Sequence, residues 1–248
     1  MKMRMLTAVL GLSLFALGAS EVKAQDDLEW RPRLLGIGAN FMASEGLNQF
    51  GELAGGGWGF TSGVTWMPSQ TSNFGARLDL SLNVYDQAHH PTCLTTPCWM
   101  KGDMSITNGT FQFGIGPEWT ISRGPVQPYL FATAGPSVFY TSLGLDWLCN
   151  EGTSGSYCSE NYHSDWGIAA RTGGGLRYHF NEALGLNLGF AYQYHGVRKY
   201  MIKGDLGLYD DGTVQVDNMR HSRANNLSFE VGLNFSVPRG YIRERLPF

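Results

Sequence analysis

Near the C-terminus the chain alternates strictly. Leu227, Phe229, Val231, Leu233, Phe235 and Val237 are apolar, and Ser228, Glu230, Gly232, Asn234 and Ser236 between them are small or polar. A period of two places the two sets on opposite faces of a β-strand. The same rhythm sets Leu35, Ile37, Ala39 and Phe41 against Gly36, Gly38 and Asn40, then Trp58, Phe60, Val64 and Trp66 against Gly59, Thr61, Gly63 and Thr65. It continues with Leu78, Leu80, Leu82 and Val84 against Arg77, Asp79, Ser81 and Asn83, and with Phe111, Phe113, Ile115, Trp119 and Ile121 against Gln112, Gly114, Gly116 and Glu118. Two later segments oppose Trp166, Ile168, Ala170, Leu176, Tyr178 and Phe180 to Gly167, Arg171, Gly173, Arg177 and His179, and Leu184, Leu186, Leu188, Phe190 and Tyr192 to Gly185, Asn187, Gly189 and Gln193. Pro128 to Tyr140 is apolar on both faces, so its parity stays open. Eight strands are expected, an even number.

The joins alternate in length. Tight turns at Pro68–Asn73, Ser122–Gln127 and Asn181–Ala183 take turns with long excursions at Ser44–Gly57, Tyr85–Asp103, Thr141–Asp165 and His195–Asn225. Short turns on one side and long loops on the other are the pattern of outer-membrane barrels, with both termini on the periplasmic side. A soluble lipocalin-type barrel would show the same alternation with its apolar face lining a cavity. Here the polar face is mostly Gly, Ser, Thr and Asn, too small and too seldom charged for a solvated surface, and it suits the inside of a narrow barrel. The apolar face carries Trp66, Trp119, Tyr178 and Phe235 near the short-turn end and Trp58, Trp166 and Tyr192 near the long-loop end. Two aromatic belts are what a bilayer selects.

Composition agrees with that architecture. Glycine supplies 33 of 248 residues, charged residues only 16% and aromatics 13%, which argues against a helical or a disordered chain. Lys2 and Arg4 precede a 14-residue apolar run, Met5–Gly18, too short to span a bilayer as a helix, and Val22-Lys23-Ala24 offers a cleavage site. A signal peptide over residues 1–24 is expected. Its removal takes three positive charges (Lys2, Arg4, Lys23) and one negative (Glu21), moving the formal net charge from −3 to −5, a sign that excludes a nucleic-acid partner. Pro125, Pro128 and Pro136 exclude a transmembrane helix in the uncharged stretch Gly124–Leu145.

The alternation, the signal and the last segment Glu230–Val237 together resemble the small outer-membrane barrel family typified by OmpA and OmpX. The resemblance spans Leu34 to Val237 and implies an all-β, eight-stranded antiparallel up-and-down transmembrane β-barrel in the Gram-negative outer membrane. It also implies that Glu230, Gly232, Phe235 and Val237 form the assembly signal read by the barrel-insertion machinery. Residues 25–33 would then be a periplasmic N-terminal segment. Family members usually stop at the aromatic of the last strand and some continue into a peptidoglycan-binding domain. Residues 238–248, with Arg239, Arg243, Glu244 and Arg245, break the alternation and read instead as a periplasmic tail.

Candidate chemistry is sparse. The inward charges balance, Arg77, Arg171 and Arg177 against Asp79, Glu118 and Glu230. Arg77, Glu118 and Arg177 each stand three residues in from a strand end, at Phe74, Ile121 and Phe180, so an ion pair between Arg77 and Glu118 is expected. Such charges could gate a pore or plug the lumen; buried charges must be paired, which favours the plug. Cys93 with Cys98 and Cys149 with Cys158 are expected to form two disulfides in the extracellular loops, a four-thiolate metal site being the rival. His89 and His90 could bind a metal or be a solvated loop tip. Arg198, Lys199, Lys203, Arg220 and Arg223 flank the last long loop, where they could contact lipopolysaccharide phosphates or decorate a solvated hairpin turning at Asp210-Asp211-Gly212. His195 and His221-Ser222 invite a lipid-modifying enzyme, but neighbours on an extended segment point to opposite faces, and a lipid A deacylase-like family has His and Ser two apart. The sequence thus points to a non-enzymatic barrel scaffold, without cofactor, that displays disulfide-stiffened loops for surface interaction or envelope integrity. A small diffusion channel is the alternative and a lipid-modifying enzyme the third reading. Expected partners are outer-membrane lipid and lipopolysaccharide, the insertion machinery and an unidentified extracellular partner.

Overall fold

The computed structural model of the chain describes residues 33–68, 72–93, 101–122, 124–145, 158–208, 214–216 and 218–238. The expected signal peptide, residues 25–32, the tail beyond Pro238, and Cys98 and Cys149 lie outside the described residues.

Eight strands close into a barrel: β1 (Arg33–Gly46), β2 (Gly56–Trp66), β3 (Phe74–Cys93), β4 (Lys101–Thr120), β5 (Val126–Leu145), β6 (Cys158–His179), β7 (Leu184–Tyr194) and β12 (Asn226–Pro238). Each strand pairs antiparallel with its sequence neighbour, and β1 closes the ring on β12, with Ile37 opposite Phe235 and Asn40 opposite Gly232. A helix, α1 (Asn48–Leu53), follows β1. Four short strands stand between β7 and β12: β8 (Val197–Tyr200) pairs with β11 (Arg220–Arg223), and β9 (Leu206–Leu208) with β10 (Val214–Val216). Among the described residues no helix is long and apolar enough to cross a membrane.

The faces follow the alternation. Phe41, Phe60, Leu80, Ile115, Phe190 and Phe229 are exposed, while Asn40, Thr61, Asp79, Glu118, Gln193 and Glu230 are buried in the lumen. The open parity of the fifth segment is settled as well. Tyr129, Phe131, Thr133 and Phe139 of β5 face in, and Leu130 faces out.

The long excursions are more structured than the alternation suggested. Tyr85–Asp103 is mostly β3 and β4, which pair out to Cys93 opposite Lys101, and Thr141–Asp165 is mostly β5 and β6, paired out to Leu145 opposite Cys158. His89 and His90 therefore stand in β3, opposite Ser105 and Met104, and not on a loop tip. Ser44–Gly57 contains α1, and His195–Asn225 contains two short ladders, β9–β10 nested in sequence within β8–β11. At 20 to 22 residues, β3 to β6 are about twice the 9–11 residues of a tilted membrane crossing, whereas β2 and β7 have 11 each. Four strands therefore rise as a wall above the rest. In that wall the pattern inverts, for Ala88, Met104 and Ile106 are buried on the inner face and Gln87 and His89 are exposed on the outer. Inward apolar residues are what water outside the wall, in place of lipid, would select.

Candidate functional site: the barrel interior and its mouth

The six inward charges form one unbroken chain of alternating sign. Arg177 of β6 lies 2.6 Å from Glu118 of β4, Glu118 lies 2.9 Å from Arg77 of β3, and Arg77 lies 2.8 Å from Asp79. Asp79 then pairs with Arg171 of β6, and Arg171 with Glu230 of β12. Thr65 and Thr61 donate hydroxyl hydrogen bonds to Glu118 and Glu230 at 2.9 and 3.1 Å. Arg171 and Glu118 are 0% exposed, so each full charge sits away from water and is balanced only by its neighbours. Linking β3, β4, β6 and β12, the chain runs through the lumen from wall to wall.

The sequence did not single out the aromatic residues that brace these charges. The Arg177 guanidinium sits 3.9 Å from the Tyr129 ring centroid and that of Arg77 4.2 Å from the Phe131 centroid, with Arg171 on Phe131 at 5.1 Å. The signal for them was present, since a strand apolar on both faces must turn some of that surface into the lumen. Room is made by glycine. A Cβ at Gly63 would lie 2.7 Å from Arg77 Nη2, and one at Gly175 2.8 Å from the Tyr129 hydroxyl.

Above the charges, on the long-loop side, a buried apolar cluster forms a cap at the mouth. Phe50 of α1 packs edge-on against Tyr85 of β3, Phe139 of β5 and Tyr200 of β8, at centroid distances of 5.2, 6.2 and 5.0 Å. Ala224 completes the buried cluster, with Ala54 and Ile202 against it. The chain reaches this position by turning after β7 at Gly196, whose φ of 70° favours glycine. β8 then runs beside β6: the Lys199 N–H donates to Asp165 at 2.9 Å, and Arg198 donates to the Ile168 carbonyl and to Ser137 at 2.9 and 3.0 Å. The residues after β8 cross toward β3, where the Tyr85 hydroxyl donates to the Met201 carbonyl at 3.2 Å and the Lys203 N–H donates to Asp86.

His195 stands at this corner, buried against Phe139 with ring centroids 5.1 Å apart, and among the described residues neither ring nitrogen has a hydrogen-bond partner. Burial, with Arg198 nearby, pushes its pKa down to about 3 and keeps it neutral.

The five basic residues of the last excursion do not act as one clamp. Arg198 is buried and turned inward, which corrects its assignment to lipopolysaccharide. Arg220 is held 2.8 Å from Asp205, whose carboxylate also accepts the Ile202 N–H, so it fastens the cap's return path. Lys199, Lys203 and Arg223 remain exposed. Pleating divides what the sequence grouped, since residues one apart on β8 face opposite ways.

Candidate enzyme groups are not assembled either. Ser222 is buried and bonded to the Tyr200 hydroxyl at 2.7 Å, whereas His221 lies exposed on the other face. Among the described residues no cluster of three His, Cys, Asp or Glu is placed to hold a metal. Cys93 ends β3 and Cys158 begins β6. In the last strand, Glu230 is occupied by Arg171, Gly232 faces the lumen and Phe235 faces out.

Residues 12–235 match the family described as outer membrane protein beta-barrel domain. No curated protein sequence matches the chain. Similar solved structures include Neisserial surface protein A, at 13% identity over 82% of this chain and 97% of that one, with a TM-score of 0.38. The outer membrane protein OprG from Pseudomonas aeruginosa is 12% identical over 84% of this chain and 97% of its own, with a TM-score of 0.44. The attachment invasion locus protein Ail of Yersinia pestis is 12% identical over 82% and 96%, with a TM-score of 0.38. A closed ring of eight antiparallel strands, greasy outside and ionic within, and a match that covers most of its length make this chain a member of the outer membrane protein beta-barrel domain family, resident in the Gram-negative outer membrane.

Proposed function

We propose that this chain is a closed, non-enzymatic scaffold that holds its extracellular strands and loops at the cell surface rather than a duct for solutes. The observation that carries this reading is the double occlusion of the lumen, by the ion-paired chain from Arg177 to Glu230 and by the cap around Phe50. An eight-stranded barrel leaves an interior just wide enough for side chains to fill, and here they fill it. The wall of β3 to β6 then becomes the displayed element, its tips tied by disulfides between Cys93 and Cys98 and between Cys149 and Cys158, for contact with an extracellular partner or for envelope integrity. Glu230, Gly232, Phe235 and Val237 serve insertion by the assembly machinery. Purified, refolded protein in planar bilayers is expected to show no steady conductance, and stable openings of nanosiemens size would overturn the scaffold reading in favour of the diffusion channel. Thiol titration of the unfolded, unreduced chain should find no reactive thiol; four would remove the disulfides.

A further inference from the structure

The fold sorts the basic residues of the last excursion by what they face. Among the described side chains, Arg77, Arg171, Arg177 and Arg220 are each paired with a carboxylate, and Arg198 is spent on buried oxygens. Lys199 and Arg223 have no ion-pair partner among the described residues, and both are exposed. The β8–β11 register places Arg223 opposite Val197 and His221 opposite Lys199. Pleating then puts Val197, Lys199, His221 and Arg223 on one face, away from the buried Arg198, Tyr200 and Ser222. Diagonal neighbours on such a face lie roughly 7–8 Å apart, a separation at which the long side chains of Lys199 and Arg223 can meet on one anion.

Their height matters as much as their spacing. β8 follows β7 and β11 leads into β12, with the Ala224 N–H donating to the Gly196 carbonyl between them, so the β8–β11 pair stands directly above the β7–β12 pair. Climbing from the membrane along it, Phe190 and Phe229 come first, then Tyr192 and Leu227, then Tyr194, then Val197 with Arg223, and last Lys199 with His221. Apolar side chains give way to cations on the same outward surface, in a protein whose formal net charge is −3. Arginine offers a planar fork and lysine a compact point charge, both suited to phosphate oxygens.

We infer that Lys199 and Arg223, with His221 between them, form an anion-binding strip for the phosphate groups of lipopolysaccharide in the outer leaflet around the barrel. The inference rests on the membrane position of the strands and not on closure of the lumen, so a conducting barrel would leave it standing. The test uses the full chain refolded in detergent and compares lipid A carrying its phosphates with dephosphorylated lipid A of the same acyl chains. Binding is expected to be about tenfold tighter to the phosphorylated form, the size of one charge-assisted contact, and the preference should fade between low and high salt. In the Lys199→Ser/Arg223→Ser variant the preference should fall to within about twofold, with folding checked by the heat-dependent shift in electrophoretic mobility. Equal binding of the two lipids by the unsubstituted protein would overturn the inference whether or not the variant folds. Full preference retained by the folded variant would overturn it too.

Discussion

Two halves of one strand obey opposite rules. In the lower part of β4, Phe113 and Ile115 point out and Gln112 and Glu118 point in; in the upper part, Met104 and Ile106 point in and Thr107 points out. The change of phase falls at Asn108-Gly109-Thr110, without a bulge on β4, and it marks the waterline. Below it the cheapest place for apolar surface is lipid, so the lumen is left to polar groups that must pair with one another. Above it the outside is water, and the inside of the wall and mouth becomes an ordinary hydrophobic core. One protein thus carries an inside-out half and a conventional half, joined along continuous strands.

The largest expected effect strikes the inside-out half. Arg171→Met leaves Glu230 and half of Asp79 without a counter-charge in a buried interior, and should cost about 3–5 kcal/mol, read as a lower urea midpoint for the whole barrel. Phe50→Ala strikes the conventional half and should cost about 3 kcal/mol. Its signature is local, with amide exchange accelerated around residues 197–203 while the barrel below stays protected. Should both variants lower a single transition together, the two halves would not be separable units.

The outer surface sharpens the contrast. Ile115→Lys, in the middle of the lipid face, is expected to destabilise by about 2–4 kcal/mol. Thr107→Lys, outward on the same strand but above the waterline, should stay within about 0.5 kcal/mol, and equal costs would place the waterline elsewhere.

The smallest of the larger effects depends on pH. His195 is held neutral in the fold down to a pKa of about 3, against an ordinary value of 6.5. The unfolded chain therefore takes up the proton first. The stability this residue supports is complete above pH 6.5 and is lost as the pH falls toward 3, by about 2 kcal/mol at pH 5. Acid also weakens the carboxylates, so the measurement is the difference between the unsubstituted protein and His195→Phe, whose urea midpoint should fall less between pH 7.5 and pH 5. Parallel decline of the two would show that the imidazole is not protected in the cap.

How much of this was legible varies with how local its cause is. Alternation around Arg77, Glu118 and Arg177 sufficed to bring out the inward charges and the counting that placed them at one height, because strand period and strand end are both written in the chain. The partner of Arg171 was not legible, since Asp79 and Glu230 reach it from β3 and β12 only once the barrel is closed and its register fixed. Nor was the cap legible. Phe50, Tyr85, Phe139 and Tyr200 are scattered over four elements, and each reads in the sequence as an unremarkable aromatic in a loop or strand. The inverted wall was legible in principle, in the alternation of Met104 and Ile106 with Ser105 and Thr107. Polar residues facing water resemble a loop when the reader expects lipid on the outside.

By itself, then, the sequence determined the period, the number of barrel strands, the alternation of short and long joins and the grease on the outer face, all of which follow from the solvent each residue must meet and from neighbours a few positions away. Only the tertiary structure decided that six charges join into one chain across the lumen, that four distant aromatics pack together at the mouth, and that Arg198 turns inward while Lys199 and Arg223 stay out. Those outcomes depend on which strands lie side by side and in what register, and closure of the ring between β1 and β12 fixes both at once.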